Sequence, residues 1–360
     1  MRKNTLADKI NEGNFTADDL ISVLGNNESA LDEYLFQKAS EVRDRHIGKK
    51  VFIRGLLEVS NQCTKNCYYC GLRAGNHQVK RYTVDFHEII ETIRKAYEHG
   101  FINFVVQSGE REDREFIEYI TKLCLEIQCI TGFKAGITLS CGEQKAEVYK
   151  NWFEAGANRY LLRIETSDEA LYYQIHPKNK RHSFQARIEA LENLRNIGYQ
   201  TGTGIMIGLP GQNFHHLAND LMFIRMLDVD MVGMGPYLEH QQTPLFERKN
   251  ELWPLEMRFR LTLKMYSLLR LMMKDINIAS TTAMETISDG GRLAGIQSGC
   301  NVLMFNLTPL RYTSDYRIYD NKPVFDDPFK TADSFIHQIT QSGFECLTDV
   351  RGDSLHFLQK

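Results

Sequence analysis

Short apolar runs alternate with amphipathic segments along most of this chain. Between the apolar runs, hydrophobic residues recur every three to four positions, the period of a helix that packs on one face. Strand and helix therefore alternate, which predicts parallel strands covered by helices. The eight candidate strands begin near Val51, Asn103, Ala135, Asn158, Thr203, Val229, Asn277 and Asn301.

Helix start and stop signals flank these segments. Residues that commonly cap a helix precede several of them, and glycine follows where a helix should end. Asp85 with Glu88 has the form of a capping box, as does the run Thr16-Ala-Asp-Asp near the N-terminus. The remaining signals are Ser183 and Asn213 at helix starts and Gly100 and Gly198 at helix ends.

Eight consecutive strand and helix units match the size of a closed barrel. We predict the α/β class: a (β/α)8 TIM-type barrel over residues 49–310, a helical cover over residues 1–48, and an extension over residues 311–360 that closes the barrel. An open, doubly wound sheet is the alternative. No Gly-x-Gly-x-x-Gly run follows the first strand, which disfavours a dinucleotide-binding sheet.

Composition narrows the function classes. The chain has 360 residues, of which 42% are hydrophobic, enough for a large core. Lys plus Arg number 43 and Asp plus Glu 46, a net charge of −3, so no basic excess indicates a nucleic-acid partner. No run approaches the ~20 apolar residues of a membrane span, and the N-terminus lacks an apolar signal region. We expect a cytoplasmic protein without a membrane or nucleic-acid partner.

Three cysteines carry the most specific chemical signal. Cys63, Cys67 and Cys70 have the spacing C-x3-C-x2-C in a polar loop after the first strand, with no fourth cysteine nearby. Structural zinc sites and electron-transfer clusters usually take four protein ligands, whereas a four-iron cluster held by three leaves one iron open for chemistry. The alternatives are packed cysteines or a zinc site completed by His77.

In a parallel barrel, catalytic groups gather at the C-terminal ends of the strands. Arg163 and Glu165 stand two residues apart, so on one strand they would share a face, although a structural ion pair has the same spacing. Glu110 suits an ammonium group and an arginine suits a carboxylate, so the set indicates S-adenosylmethionine. The other strand-end candidates are Gln107, Ser108, Thr138, Met206, Met231, Thr281 and Thr282.

These motifs resemble the radical S-adenosylmethionine superfamily. Its three-cysteine motif is present, Ser108-Gly109-Glu110 is similar to its Gly-Gly-Glu segment, and Gly204 and Gly208 match its glycine-rich fifth strand. Within the superfamily, collinear segments resemble the HydE family of FeFe-hydrogenase maturases. They include residues 52–61, 70–73, 107–110, 159–166, 208–212, 230–236 and 281–284.

The resemblance implies a 4Fe-4S cluster on Cys63, Cys67 and Cys70, open to S-adenosylmethionine. Reductive cleavage would release a 5′-deoxyadenosyl radical, which adds to the sulfur of a cysteine-ligated iron carrying carbon monoxide and cyanide. The implied partners are an electron donor such as ferredoxin or flavodoxin and other hydrogenase maturases. The implied cofactor contacts are Gln107, Ser108, Glu110, Arg163, Glu165, Arg187, Met206 and Met231; the implied substrate contacts are Thr138, Arg159, Thr281, Thr282, Tyr316 and Tyr319.

One departure and several alternatives accompany this resemblance. Residues 312–340 contain no cysteine, so a second cluster near the C-terminus is not expected. The run Arg351-Gly-Asp353 is expected to be a solvated turn. The alternatives are a methylornithine synthase-like or a biotin synthase-like radical enzyme, and a carrier that delivers an iron–sulfur cluster or zinc without turnover.

Overall fold

A computed structural model describes residues 5–324 and 326–360 of the chain. The strands are β1 (Lys50–Ser60), β2 (Asn103–Ser108), β3 (Gly136–Ser140), β4 (Arg159–Leu161), β5 (Gln200–Thr203), β6 (Met206–Ile207), β7 (Met231–Val232), β8 (Gly235–Pro236), β9 (Asn277–Ile278), β10 (Val302–Asn306) and β11 (Glu345–Leu347). The helices are α1 (Leu6–Glu12), α2 (Ala17–Gly25), α3 (Ser29–His46), α4 (Phe86–Glu98), α5 (Arg114–Ile130), α6 (Ala146–Glu154), α7 (Glu169–Ile175), α8 (Phe184–Ile197), α9 (Phe214–Met226), α10 (Leu255–Met272), α11 (Thr282–Ile287), α12 (Gly291–Gln297), α13 (Leu310–Thr313), α14 (Pro328–Gln341) and α15 (Leu355–Leu358).

Eight parallel strands form a ring. The hydrogen-bonded order is β10, β1, β2, β3, β4, β5, β7 and β9. A parallel bridge between Ala279 and Val302 joins the two ends of this order, and the amide of Ser280 donates to the carbonyl of Val302 at 3.0 Å. The predicted TIM-type barrel and its eight strands are therefore confirmed.

Two strands extend the ring at the end where the ring strands finish, which we call the mouth. Strands β6 and β8 follow β5 and β7 and pair in parallel with each other. Below them, the strand residues that face the helices, such as Ile53, Phe104 and Ile137, lie in one continuous core. Inward-facing positions such as Arg54, Val105 and Thr138 line a cavity of only about 30 Å³. The barrel is therefore a packed core with its loops at the mouth, as the fold requires.

The predicted helix starts are confirmed, with one change at Asp85. Thr16 and Asp19 form the expected capping box, and Ser183 and Asn213 cap α8 and α9. Asp85 accepts hydrogen bonds from the first turn of α4, but Glu88 accepts instead from the side chains of Arg311 and Tyr312. Two residues distant in sequence thus replace the Asp85 amide as the partner of the Glu88 carboxylate.

The C-terminal tail fills the base of the barrel, the end opposite the mouth. Polar side chains that begin four ring strands hold it. Asn103, Arg159 and Asn277 donate to the carbonyls of Val350, Arg351 and Gly352, and Gln200 donates to the Asp353 carboxylate. The prediction that residues 351–353 form a solvated turn holds only for the exposed Arg351 side chain, because the acceptors of this segment satisfy buried donors at the base of the ring.

The N-terminal helices lie on the outside of the barrel. Helices α2 and α3 pack against α9 and α10, and the Asp32 carboxylate on α3 pairs with Arg260 and Lys264 on α10. The division into a cover, a barrel and an extension stays a prediction. Among the described helices, none is long and apolar enough to cross a membrane.

Candidate active site at the barrel mouth

The loop that carries the three cysteines leaves β1 at the mouth and is held by one arginine. Arg81 lies beyond the loop and donates from both terminal nitrogens to backbone carbonyls along it, at 2.7 to 3.1 Å. A single guanidinium thus ties together the two ends of the loop. The carbonyls belong to Asn61, Leu72, Arg73 and Asn76.

The three thiols share one buried environment. Burial raises the pKa of Cys67, and the neighbouring charges of Cys63 and Cys70 raise it further. Burial and then the charge of Cys63 raise the pKa of Cys70 to about 12. Thiols that influence one another in this way lie close together, and binding a metal there would release their protons.

Gly109 lets the end of β2 run against this loop. A Cβ atom at Gly109 would lie 2.2 Å from the carbonyl oxygen of Gln62, a distance no side chain tolerates. The close approach allows the amide of Glu110 to donate to Sγ of Cys63 at 3.4 Å, and the amide of Thr64 to donate to the Glu110 carbonyl at 2.8 Å. The Ser-Gly-Glu run therefore positions the first cysteine through its backbone.

A buried network of four charges lies behind the loop. Lys65, between the first two cysteines, lies 3.1 Å from Glu110 and 2.8 Å from Glu143, and Arg187 pairs with Glu143 as well. Burial acts against ionisation, but the charges of Arg187 and Lys65 hold the pKa of Glu143 below its usual value. The ammonium that we expected Glu110 to bind is thus supplied by the protein itself.

Arg163 and Glu165 form an ion pair at 2.9 Å, but not because they share a strand. Strand β4 ends at Leu161, and Glu165 has a left-handed backbone with φ of 69°. Its backbone nevertheless bonds on both sides to the segment 204–206, which holds this conformation. A non-glycine residue in this region costs about 1–3 kcal/mol and is typical of functional sites.

Arg187 connects this pair to the charged network. It donates from Nη1 to the carbonyl of Arg163 at 2.8 Å while pairing with Glu143. The predicted cofactor contacts Arg163, Glu165 and Arg187 therefore lie together, next to Glu110. Their role toward a cofactor stays a prediction.

An apolar cluster lies beside the cysteine loop. Met206 on β6 is buried with Leu209 and Tyr237, and the aromatic rings of Tyr68 and Tyr69 pack against them from the loop. Rings and a thioether of this kind suit a flat aromatic group such as adenine. The role of Met206 as a cofactor contact stays a prediction.

Met231 lies elsewhere, inside the ring. It lines a cavity of about 30 Å³ together with Thr138 and Arg54. Nε and Nη2 of Arg54 and the hydroxyl of Thr138 have no hydrogen-bond partner in the described part of the chain, and Nη1 of Arg54 reaches only Sδ of Met231 at 3.6 Å. Burial, with the charge of Arg159 added, lowers the pKa of Arg54 well below its usual value. The interior thus offers unused donors at the level of Thr138.

A strap formed by residues 314–323 crosses the mouth. The hydroxyl of Tyr316 accepts from Nε2 of Gln107 at 3.2 Å, and Lys322 pairs with the buried Glu58 of β1. The hydroxyl of Tyr319 lies 3.5 Å from that of Thr286 on α11. The strap places both predicted tyrosines over the ring.

The two threonines that begin α11 lie beneath this strap. Oγ1 of Thr281 is 3.4 Å from the hydroxyl of Tyr266, and Thr282 lines a small pocket with Lys322 and Asn306.

Arg159 does not lie with the two threonines. It is the first residue of β4, and its guanidinium turns to the base, where Asn103 and the tail bind it. The structure therefore brings five of the six predicted substrate residues to the interior or the mouth, and holds Arg159 at the base.

Sequence reasoning missed several residues of this site. Lys65 had a visible signal, since a lysine between cysteines needs an anionic partner when the loop is buried. Glu143 follows β3 in the run Cys-Gly-Glu, as Glu110 follows β2 in Ser-Gly-Glu, so position at a strand end could have identified it. His182 and His176 gave no signal, because their partners lie more than 100 positions away in the chain.

The residues present fit a cluster better than a single ion. Within residues 5–324 and 326–360, no group of three or more His, Cys, Asp or Glu side chains is arranged to hold one metal ion, and His77 is exposed. Three adjacent thiols with a backbone amide on one sulfur, at a glycine-lined approach, match the ligand set of an iron–sulfur cluster. Cys63, Cys67 and Cys70 would hold it.

Three comparisons with known proteins agree with this geometry. Residues 57–224 match the family model of the radical SAM superfamily. The [FeFe] hydrogenase maturase subunit HydE of Thermotoga maritima is 41% identical over 323 residues, which cover 89% of each chain. The 3-methylornithine synthase of Methanosarcina barkeri is 28% identical over 85% of this chain and 84% of its own. A crystal structure of methylornithine synthase superimposes with a TM-score of 0.79 at 25% identity, covering 96% of this chain and 98% of that one.

Proposed function

This chain belongs to the radical S-adenosylmethionine superfamily, and we propose that it acts in the maturation of FeFe-hydrogenase. As a member, it is an enzyme that reductively cleaves S-adenosylmethionine, and a 4Fe-4S cluster is the cofactor of that chemistry. The observation that carries the proposal is the 41% identity to a HydE maturase over 89% of both chains. That span includes the whole ring and the cysteine loop.

When bound at Cys63, Cys67 and Cys70, the cluster and S-adenosylmethionine would supply a 5′-deoxyadenosyl radical to the barrel interior. Arg163 and Glu165 would fix the polar end of S-adenosylmethionine, since their charges face each other at the mouth. Met206 and the tyrosines of the loop would receive its adenine. The strap would exclude water from the reacting groups.

We infer that the substrate lies in the ring below the cysteine loop. The unpartnered donors of Arg54 and the hydroxyl of Thr138 suit an electron-rich ligand, because a buried guanidinium without an acceptor is costly. An iron complex carrying cyanide and carbon monoxide would suit these donors, with Tyr316 and Thr281 at its upper side. Because the closed cavity of about 30 Å³ holds no more than a water, binding requires the side chains around it to move apart. A ferredoxin or flavodoxin would provide the electron, and other maturases would supply and receive the complex.

The proposal has a direct test. The protein is reconstituted anaerobically with iron and sulfide and then reduced in the presence of S-adenosylmethionine. We expect one four-iron cluster per chain and 5′-deoxyadenosine as a product. In a host that makes FeFe-hydrogenase, deletion of the gene should leave the hydrogenase present but inactive, and the wild-type gene, but not a Cys63→Ser variant, should restore hydrogen evolution.

A methylornithine synthase is the second candidate, favoured by the superposition along 96% of the chain. Fold alone does not separate it from a maturase, because both names occur among relatives that cover most of this chain. Formation of 3-methylornithine by the reconstituted protein, with normal hydrogen evolution in the deletion strain, would establish this alternative. A tetrahedral zinc site without cofactor cleavage would instead indicate a carrier.

A further inference from the structure

One short segment grips the cysteine loop from outside the ring. Residues 175–182, which we call the brace, connect α7 to α8 and contain a 3-10 turn, Lys180–His182. The brace accepts hydrogen bonds from loop residues 65, 66 and 68. The side chain of Lys65 donates to the carbonyl of Arg181, and the amide of Tyr68 donates to the carbonyl of Ile175 at 2.9 Å.

His182 makes the third of these contacts with its imidazole ring. Nε2 of His182 lies 2.8 Å from the amide nitrogen of Asn66, the residue before Cys67. The side chain is only 2% exposed, so water does not compete for this amide. A backbone amide only donates, and therefore Nε2 must be an acceptor.

The other ring nitrogen fixes this state. Nδ1 of His182 lies 2.8 Å from Oδ1 of Asn179, and the same oxygen accepts from the amide of Arg181 at 3.0 Å. Oδ1 is an acceptor in both contacts, so Nδ1 carries the proton and Nε2 keeps its lone pair. Burial, followed by the charge of Lys65, lowers the pKa of His182 to about 4, which keeps the ring neutral.

A second histidine acts in the same way on the next part of the loop. Nδ1 of His176 lies 3.0 Å from the carbonyl of Tyr172, which can only accept, so Nε2 is free to accept from the hydroxyl of Tyr69 at 3.3 Å. The ring of His176 also stacks on Tyr172 with centroids 4.0 Å apart. Tyr69 lies directly before Cys70, so each histidine contacts the residue that directly precedes one of the thiols.

We propose that His182 is a positioning residue for the cysteine loop: its neutral ring holds the Asn66 amide and so keeps Cys67 in the geometry that receives the cluster. This inference rests on the proposal that the three cysteines hold a cluster, and it is independent of the substrate. The amides of Asn66 and Tyr68, on either side of Cys67, both donate to the brace.

Two substitutions at one position separate the hydrogen bond from the bulk of the ring. In His182→Gln the amide oxygen falls near the position of Nε2 and can still accept from Asn66. In His182→Asn the shorter amide falls near Nδ1, keeps the contact with Asn179 and loses Asn66. A purely structural role for the ring would not distinguish the two variants.

The first measurement uses the protein without iron. Hydrogen exchange of the Asn66 amide should be as slow in His182→Gln as in the wild-type protein, and about tenfold faster in His182→Asn, the equivalent of one buried hydrogen bond. The second measurement follows iron release to a chelator after reconstitution. We expect about tenfold faster release from His182→Asn and wild-type release from His182→Gln.

The outcomes are distinct. Equal iron release from the wild-type protein and both variants would overturn the role of His182, as would equal acceleration in both variants. If the wild-type protein took up no cluster, the proposed function would fail, although the exchange measurement would still report on the hydrogen bond. Should His182→Asn not fold, Asn179→Ala serves instead, because Asn179 is exposed and its loss frees Nδ1; it should also speed iron release, and wild-type release from it would contradict the proposal.

Discussion

The carboxylate of Glu165 lies 2.9 Å from the guanidinium of Arg163, although Glu165 has a left-handed backbone and stands beyond the end of β4. The pair is therefore made by a turn that the segment 204–206 stabilises, not by the alternation of a strand. Its side chains are 30% and 10% exposed, which leaves it open to a ligand from the mouth. An ion pair that serves only stability would not need a strained backbone.

Replacement of the Glu165 charge should weaken cofactor binding. We expect Glu165→Gln to lower the affinity for S-adenosylmethionine about tenfold or more, since a charge-assisted hydrogen bond contributes roughly 1.5–3 kcal/mol. The iron content should be unchanged, because Glu165 is not a cluster ligand. Equilibrium binding to the reconstituted protein measures the effect, with the exposed Glu169→Gln as the control. Unchanged binding together with a lower free energy of unfolding would assign the pair to stability alone.

Each of the three cysteines should be required for the protein to hold a cluster. Cys63→Ser, Cys67→Ser and Cys70→Ser should each abolish the absorbance and the iron content of the reconstituted protein. Cys346→Ser is the matched control, because Cys346 lies on β11 beside β1 at the base. Retention of a full cluster in any of the three variants, or its loss in the control, would contradict the ligand set.

The tail that fills the base should contribute strongly to stability. Arg159 is fully buried, and the Asp353 carboxylate, 3.6 Å away, is the charge that opposes the lowering of its pKa by burial. We expect Asp353→Asn to lower the free energy of unfolding by about 3 kcal/mol, since it leaves a buried cation without its partner. Urea unfolding measures this, with the exposed Asp349→Asn as the control.

A double variant checks the cause of that loss. If the unpaired guanidinium is responsible, Arg159→Met combined with Asp353→Asn should be more stable than Asp353→Asn alone. Equal losses in Asp353→Asn and Asp349→Asn would mean that the tail is held by its backbone contacts only.

Asp220 on α9 should make the protein less stable as the pH rises. Burial raises the pKa of Asp220 to about 7, while hydrogen bonds from Ser167 and Thr166 act in the other direction. Above pH 4 the unfolded chain loses this proton but the folded protein keeps it until about pH 7. The free energy of unfolding therefore falls across this interval, by on the order of 4 kcal/mol from this group.

Asp220→Asn removes the titration and should remove this part of the pH dependence. Urea unfolding of both proteins at pH 5 and pH 8 measures it. The decrease between the two pH values should be smaller in the variant. The same decrease in both proteins would show that Asp220 ionises in the folded state near its usual pKa.

The local pattern of the chain was sufficient for the fold and for selecting three cysteines as candidate metal ligands. Apolar runs of strand length and helix caps such as Thr16 and Ser183 act over a few residues, so their signal is present in the sequence itself. The same is true of the three cysteines, whose spacing places their sulfurs in one loop. Gly109, in the Ser-Gly-Glu run, is the residue whose missing side chain admits the loop to the end of β2.

The tertiary structure alone decided which distant groups meet. Lys65 reaches Glu143 and Arg181, Asn66 reaches His182, and Arg159 turns to the tail rather than to the mouth. Each of these contacts joins positions more than 70 residues apart, and which end of the ring a long side chain takes depends on the partners that burial leaves for it. The sequence determined the barrel and the three sulfurs at its mouth; the packing of the closed ring decided where its buried charges are neutralised, because only the folded chain brings those partners within reach.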